Sequence, residues 1–598
     1  MNQSMSQAHA VIAGLLAAGV RHIVFAPGSR SAPLVYAVAA QSSKQCATYV
    51  RIDEREAAFL ALGIAKGLRA RGCGAPVAVV TTSGTAVANV HPAITEAAYT
   101  GLPIIALTAD RPAVLRGTGA NQTLDRQDLV LPEVTSTWDI PVFPSSAGTP
   151  EWGKLAADVA HMVHGATVAS TAGPVHMNVQ FAPPLVPDLP VASEEPVVSG
   201  TSPEPELLPI PEIPLTRGET VRVMETGAKT APVTTPVPEQ FMQELTTLVR
   251  HNKTVFLAGD CASQSFPVDA WLAWNIPAPI LAEPSSPFFT TDSAISRYET
   301  LLTSSDVPYP EAVIVLGKPT LGRATERLLR HSDVLRRDIP AAALSSQTTS
   351  PQVTSLPGTW VLPPGTYGEW NEEERAWVEA WEEPGSPSEA GHIYGVLRTM
   401  MKQDGHIFAA NSSAIRYFSQ AAPPASQRRA TIHASRGVSG IDGLISTALG
   451  LTYGLSQPSQ GLSHPRPPQH PMRLVIGDIA FLHGIGGLWL EQGETLPPLD
   501  IIVLNNNGGA IFSHLENGAE HVRPLLKRFF ATEQSVDIRS CARAYSWDYE
   551  VADSEEKLLA LLRKGDPQSA HSGRVGGRII EVTLDEDGYF VSQNTHDK

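Results

Sequence analysis

At 598 residues and 42% apolar content, the chain is too long for a single core, and about three domains are expected. A formal net charge of −16 argues against a general nucleic-acid surface, although it leaves room for local basic pockets. Cys46, Cys73, Cys261 and Cys541 form no C-x-x-C pair, which argues against a disulfide framework or zinc site and suits a reducing cytoplasm; no apolar run reaches the length of a membrane span.

The first segment, residues 1–185, alternates helix and strand signals. Residues 7–19 read as a helix ending in Gly, and 22–25, 76–80 and 103–107 as short buried strands. Alternation of this kind implies a parallel, doubly wound α/β sheet. The unusual residues follow the strands: Pro27-Gly28-Ser29-Arg30-Ser31, then Thr81-Thr82-Ser83-Gly84-Thr85, then Thr108-Ala109-Asp110-Arg111-Pro112 leading to Gly119-Ala120-Asn121-Gln122. Between the first two strands, Arg51-Ile52-Asp53-Glu54-Arg55 opens an Ala/Leu-rich helix. By spacing alone, Asp53 and Glu54 are simply favourable acids in its first turn.

Residues 186–237 are dominated by Pro, Glu, Thr and Val and read as an extended linker. Residues 238–350 return to an α/β pattern, with central strands at 255–259 and 312–317 and no G-x-G-x-x-G fingerprint, so a dinucleotide site is unsupported. Residues 351–390 read as a second connection. The last domain, 391–598, opens with a strand at 406–410 followed by Asn411-Ser412-Ser413-Ala414-Ile415-Arg416. If a helix starts there, Ser412 and Arg416 share a face. Residues 457–471 read as a surface loop, and His464 and His470 within it receive no role.

The last domain also holds the stretch with the clearest chemistry. Gly477-Asp478-Ile479 follows one apolar run, and Asn506-Asn507-Gly508-Gly509 follows another at 500–504. An Asp and an Asn at the ends of neighbouring parallel strands meet at the carboxyl edge of the sheet, where open α/β sheets bind ligands. A carboxylate, an amide oxygen and a backbone carbonyl suit Mg²⁺, which completes its octahedron with phosphate and water. Either half alone is equally well explained as a strand end capped by turn-forming residues.

Together the two halves resemble the thiamine diphosphate signature Gly-Asp-Gly…Asn-Asn, with Ile479 in place of the second Gly. The stretches at 27–31, 53–55, 82–89, 108–112, 119–122, 435–443 and 505–512, in collinear order, resemble the MenD family, the 2-succinyl-5-enolpyruvyl-6-hydroxy-3-cyclohexene-1-carboxylate synthases. The resemblance implies three doubly wound parallel-sheet domains: pyrimidine-binding, central and diphosphate-binding. It implies a transferase of menaquinone biosynthesis that decarboxylates 2-oxoglutarate and adds the resulting succinyl carbanion 1,4 to isochorismate. Glu54 would be the catalytic carboxyl at N1′ of the cofactor's pyrimidine. Ser439, Ile441, Gly477, Asp478, Ile479, Asn506 and Gly508 would hold thiamine diphosphate, and Asp478, Asn506 and Gly508 would ligate Mg²⁺ or Mn²⁺. Ser29, Arg30, Arg111, Asn121, Gln122, Arg323, Ser412, Arg416, Arg436, Ile511, Phe512 and Leu515 would line the substrate site. Each substrate carries two carboxylates, which the planar fork of Arg fits. Arg323 is followed by Ala324, where the family often shows a second basic residue. The family also implies a cytoplasmic homodimer or dimer of dimers, with active sites between chains and no membrane insertion or nucleic acid. A simpler thiamine diphosphate decarboxylase or acetolactate-synthase-like ligase would share the metal corner but have a smaller, less cationic pocket. A non-catalytic scaffold would tolerate loss of Glu54, Asp478 or Asn506, and all three are present.

Overall fold

A computed structural model describes residues 2–41, 45–144, 148–168, 173–188, 234–237, 239–260, 268–339, 359–361, 365–381, 390–456, 472–495, 498–563 and 577–591. Most of the linker and the loop at 457–471, with His464 and His470, lie outside the described residues.

Three parallel sheets organise the chain. The first holds β1 (His22–Phe25), β2 (Ala47–Val50), β3 (Val77–Thr81), β4 (Ile104–Asp110), β5 (Ser136–Ile140) and β6 (Val175–Gln180), in the order β2-β1-β3-β4-β6-β5. Past the linker, β7 (Thr234–Pro236) stands apart from the central sheet. That sheet holds β8 (Thr254–Ala258), β9 (Ile280–Ala282), β10 (Ala294–Ile295), β11 (Ala312–Leu316) and β12 (Leu335–Ile339), ordered β10-β9-β8-β11-β12. β13 (Thr359–Val361) pairs with β7, so the ends of the two connecting segments are tied together. The last sheet holds β14 (His406–Ala409), β15 (Thr431–His433), β16 (Met472–Gly477), β17 (Leu499–Asn505), β18 (Asp548–Ala552) and β19 (Gly577–Thr583), ordered β15-β14-β16-β17-β19-β18. The first and last sheets therefore have the same topology. Their central strands are buried along their length, as parallel strands covered on both faces must be.

Two elements differ from the sequence reading. Residues 108–110, expected in a loop, continue β4, because Asp110 stays in register with Gln180 of β6. The segment at 351–390 contributes a helix, Glu372–Glu379, which packs on the central domain. Its Trp377 and the adjacent Trp381 are buried there, and Trp377 Nε1 donates to Thr254 O at 2.8 Å.

Three helices position the site: α1 (Glu54–Ala70), α2 (Ser413–Ala421) and α3 (Leu444–Leu455). Asp53 caps α1, accepting from the N–H groups of Arg55 at 2.8 Å and Glu56 at 3.3 Å. α1 and α3 belong to the first and last domains and touch backbone to backbone. A Cβ at Gly63 would lie 2.1 Å from Thr447 O, and one at Gly450 would lie 2.2 Å from Leu60 O. Gly67 and Gly454 repeat the contact one turn further on. Apolar residues of all three domains, such as Val24, Phe256 and Ile501, belong to one continuous core cluster. Among the described residues, no helix is long and apolar enough to cross a membrane.

The crossing sets two effects against each other in Gly450→Ala. Replacing a helical Gly by Ala should stabilise by roughly 1 kcal/mol through propensity. The new methyl meets a backbone carbonyl that cannot rotate away, and overpacking of this kind costs about 1–3 kcal/mol. Net destabilisation is expected in equilibrium denaturation. A variant as stable as wild type would show that the helices separate freely.

Candidate active site

The placement of the residues expected to hold the metal follows from strand register. β16 and β17 pair Gly477 with Leu504, so Asp478 and Asn505 leave neighbouring strands side by side. Asp478 starts the helix Asp478–His483 and is buried, and burial pushes its carboxyl above the usual range. Of the three asparagines that follow β17, Asn505 is already committed. Its Nδ2 donates to Glu581 Oε1 at 2.7 Å, and its Oδ1 accepts from Asn507 N at 3.0 Å. Asn507 is exposed, with φ of +59°. Asn506, between them, makes none of these bonds and is half-buried. Gly508 is buried beneath the following loop, and a Cβ there would lie 2.8 Å from Ala531 O.

These residues fit a metal held against a diphosphate. A Cβ at Gly477 would meet nothing within 4 Å, so the open space there admits a ligand close to the backbone. Among the described residues, no group of three or more His, Cys, Asp or Glu could hold a metal alone. A cation at Asp478 must therefore complete its shell with oxygens from elsewhere, as Mg²⁺ does with phosphate and water. Ile479 is half-buried beside Asp478. Ser439, with φ of +58°, and half-buried Ile441 lie in the loop leading into α3, where Gly440 O accepts from Asn411 Nδ2 at 2.7 Å.

A cavity of about 850 Å³ between the central and last domains brings together Arg323, Arg416, Ile511 and Leu515. Arg330 and Arg336, which the sequence did not single out, also line it, each paired with an acid, Glu326 at 2.8 Å and Asp338 at 2.7 Å, and Glu299 and Asp587 share the wall. α2 begins directly after Ser412, and Arg416 Nη1 donates to Ser412 O at 2.7 Å, so the expected four-residue relation is present. Burial and the nearby Arg436 lower the pKa of Arg416. Arg436 is itself buried, donating to Asn411 Oδ1 at 3.0 Å and to Thr320 Oγ1 at 2.7 Å. Thr320 lines the cavity. Buried Glu283 fixes that loop by accepting from the N–H groups of Thr320 at 2.7 Å and Leu321 at 2.6 Å. Arg323 is exposed and pairs with Glu516 at 3.3 Å. Phe512 is not in the cavity wall; its ring packs against Phe530, with centroids 5.8 Å apart.

The first domain gathers a separate cluster. Arg111 donates to Ser83 Oγ and, at 2.7 Å, to Gln122 O, while Gln122 Nε2 donates to Ser83 O at 2.9 Å. Arg30 donates to Phe181 O at 2.9 Å; burial lowers its pKa first, and Arg111 lowers it further. Ser29 and Asn121 are exposed at the same rim. None of these residues lines the cavity of their own chain. Glu54 is half-buried and accepts from Asn89 Nδ2 at 3.4 Å, within the first domain. Its neighbour Glu56 turns the other way, accepting from Ser446 Oγ of α3 at 2.6 Å, and burial pushes its carboxyl up to about 7.

Residues missed in the sequence were of two kinds. Ser83, Asn89 and Asn411 sit inside stretches already singled out and could have been read there. Thr320 lies in the loop that ends at Arg323, whereas Arg330, Arg336 and Gln534 are brought in by packing and carry no local signal.

Residues 5–129 match the family described as thiamine pyrophosphate enzyme, N-terminal TPP binding domain. The chain is 33% identical to the 2-succinyl-5-enolpyruvyl-6-hydroxy-3-cyclohexene-1-carboxylate synthase of Renibacterium salmoninarum, covering 97% of this chain and 94% of that one. It is 34% identical to the synthase of the same name from an Arthrobacter species, over 98% and 90%, and 31% identical to that of Mycobacterium bovis, over 98% and 97%. Among solved structures it is similar to benzoylformate decarboxylase from Polynucleobacter necessarius, with TM-score 0.60 at 14% identity over 98% of this chain and 99% of that one, which speaks to the fold.

Two expectations follow. Asp478→Ala and Asn506→Ala should each abolish calorimetric binding of thiamine diphosphate with Mg²⁺, because a lost oxygen leaves the diphosphate charge unneutralised. Wild-type affinity in both would remove the metal corner. Glu56 has a folded pKa raised to about 7 from 4.5. The stability that its protonation contributes is fully present below 4.5 and lost as pH rises through about 7. Glu56→Gln should therefore gain stability over wild type at pH 8, by roughly 1–3 kcal/mol, because each tenfold change in proton affinity is worth about 1.4 kcal/mol. At acid pH the gain should be small. Equal gains at both pH values would show that the carboxyl is not held neutral.

Proposed function

The chain belongs to the 2-succinyl-5-enolpyruvyl-6-hydroxy-3-cyclohexene-1-carboxylate synthase family, and from that premise we propose that it decarboxylates 2-oxoglutarate and adds the succinyl unit to isochorismate in menaquinone biosynthesis. One observation carries this reading beyond the shared cofactor: Arg416 in the cavity wall and buried Arg436, which donates to the wall residue Thr320, are held by neutral groups, whereas Arg323, Arg330 and Arg336 of the same wall are paired with Glu516, Glu326 and Asp338. A decarboxylase of small 2-oxo monocarboxylates needs one such fork at most, whereas two dicarboxylates call for more than one.

Thiamine diphosphate, when bound, supplies the carbanion chemistry of the decarboxylation and transfer. Asp478, Asn506 and the Gly508 carbonyl would hold its diphosphate through Mg²⁺ or Mn²⁺. Ser439 and Ile441 would flank its rings, and Glu54 would share a proton with N1′ of the pyrimidine. Arg416 and Arg436 would bind substrate carboxylate, and each is already oriented by the protein, Arg416 through Ser412 and Arg436 through Asn411 and Thr320. Preset donors of this kind lose little freedom on binding. Ile511 and Leu515 supply apolar wall that excludes water.

The assembly we propose is a dimer, or a dimer of dimers, with sites shared between chains. Two observations support it. Within one chain, Arg30, Arg111 and Gln122 lie off the cavity that holds the remaining substrate residues, and Glu54 faces Asn89 of its own domain. Ile52 is 60% exposed and Val114 79% exposed, beside Glu54 and Arg111, as apolar surface awaiting cover.

The direct test is to incubate the protein with thiamine diphosphate, Mg²⁺, 2-oxoglutarate and isochorismate and to follow CO₂ and the adduct by mass spectrometry. No adduct from protein that binds the cofactor would refute the activity. The sharing of sites is tested by a mixed dimer of one Glu54→Gln chain and one Asp478→Ala chain, isolated with two tags. If sites form between chains, one site carries both defects and the other carries none, so up to half of wild-type activity returns. An inactive mixed dimer that assembles normally would place both groups in the same chain.

A further inference from the structure

Gln534 lies far from every stretch singled out in the sequence, yet its side chain reaches the metal corner. Its Nε2 donates to Asp478 Oδ2 at 3.0 Å and to Asn505 Oδ1 at 3.4 Å. The direction of the amide is determined, because Oε1 accepts from the Val536 N–H at 2.7 Å and the nitrogen must face the carboxylate. The backbone fixes the residue as well. Gln534 N donates to Asn507 O at 3.2 Å, and Ala531 O accepts from Gly509 N at 2.6 Å. The loop after Ala531 is thus stitched to the metal-binding turn at three points, and one of its side chains is committed to the ligand itself.

Resting on the reading of Asp478 as a metal ligand, we propose that Gln534 sets metal specificity by confining Asp478 to coordination through one oxygen. The hydrogen bond occupies one of the two lone-pair sites of that oxygen and holds the carboxylate in one orientation, so Oδ2 is the poorer second ligand for a chelate around a cation. Mg²⁺ demands a small, near-octahedral shell and takes carboxylates through a single oxygen, whereas Ca²⁺ accepts six to eight oxygens and commonly takes a carboxylate through both. Mn²⁺ shares the octahedral oxygen preference. Gln534 therefore favours the smaller cations, and it does so without touching them.

The experiment is a calorimetric titration of Mg²⁺ and of Ca²⁺ into the full chain with saturating thiamine diphosphate, for wild type, Gln534→Met and Asp478→Ala. Met has similar length and no donor. In Gln534→Met the ratio of Mg²⁺ to Ca²⁺ affinity should fall at least about tenfold, the scale of effects from outer partners of metal ligands, chiefly through tighter Ca²⁺ binding. If Gln534→Met fails to fold, Gln534→Glu also removes the donor, adds an anionic oxygen, and should move the ratio the same way. An unchanged ratio, or equal weakening of both metals, would overturn the proposal and leave Gln534 as a loop support. Asp478→Ala separates the two levels: wild-type metal affinity there would overturn the metal corner and the proposal with it. Lost affinity there, beside an unchanged ratio in Gln534→Met, would overturn the proposal alone.

Discussion

The backbone contact between α1 and α3 is the constraint from which the geometry of the site descends. Two helices from different domains can approach this closely only where neither carries a side chain, and the glycines at 63, 67, 450 and 454 provide that seam. The contact puts the first turn of the helix that carries Glu54 beside the first turn of the helix that follows Ile441. Charged groups complete the junction at both ends. Arg51 meets Glu494 through two hydrogen bonds, of 2.7 and 2.9 Å, and Tyr453 donates to the same carboxylate at 2.7 Å. Glu96 of the first domain accepts from the N–H groups of Gly437 and Val438, directly after Arg436. Buried ion pairs of this kind add little net stability over apolar packing, but breaking one partner is costly, so they fix one docking geometry rather than deepen the fold.

The common topology of the outer sheets explains where chemistry collects. In the order 2-1-3-4-6-5, the chain leaves the first strand in one direction and the third in the other, which opens a crevice at the carboxyl ends of those strands. In the last domain the crevice lies between β14 and β16. One lip is Asn411, Ser412 and Arg416, and the other is Asp478. In the first domain it lies between β1 and β3, with Ser29 and Arg30 on one lip and Ser83 on the other. The two halves of the proposed site are therefore the same topological feature used twice, once for diphosphate and once for the opposite end of the ligands.

This explains why so much was legible beforehand. Strand interiors are buried and apolar, so polar residues at their ends stand out against them, and Asp478, Asn506, Arg111 and Arg30 were visible as interruptions of pattern. Glu54 was different: the acid-rich first turn of α1 has an ordinary helical explanation, and only the family resemblance separated Glu54 from Asp53, which is the cap. Phe512 came from the family stretch at 505–512; in one chain its ring packs against Phe530, while Ile511 before it on the same 3-10 turn lines the cavity. Gln534, Arg330 and Arg336 were invisible because their positions depend on how separate elements pack, which no local spacing encodes.

The cavity wall is mixed in charge, since Glu299, Glu326 and Asp587 share it with the arginines and Glu326 pairs with Arg330 at 2.8 Å, but the acids nearest Arg436 are turned to other partners. Glu283 is spent on backbone N–H groups, and burial pushes its carboxyl up to about 7; desolvation pushes half-buried Asp260 up to about 6. Arg436 is among the charges that pull both back down, so each acid tempers the repulsion among the arginines without offering them a bidentate partner. A full ion pair at Arg436 would satisfy the guanidinium and leave nothing to offer a substrate. Its neutral partners, Asn411 and Thr320, hold the fork in place and leave its charge uncancelled. An incoming carboxylate would then be the first group to neutralise that charge, and it would do so where burial makes the attraction strong.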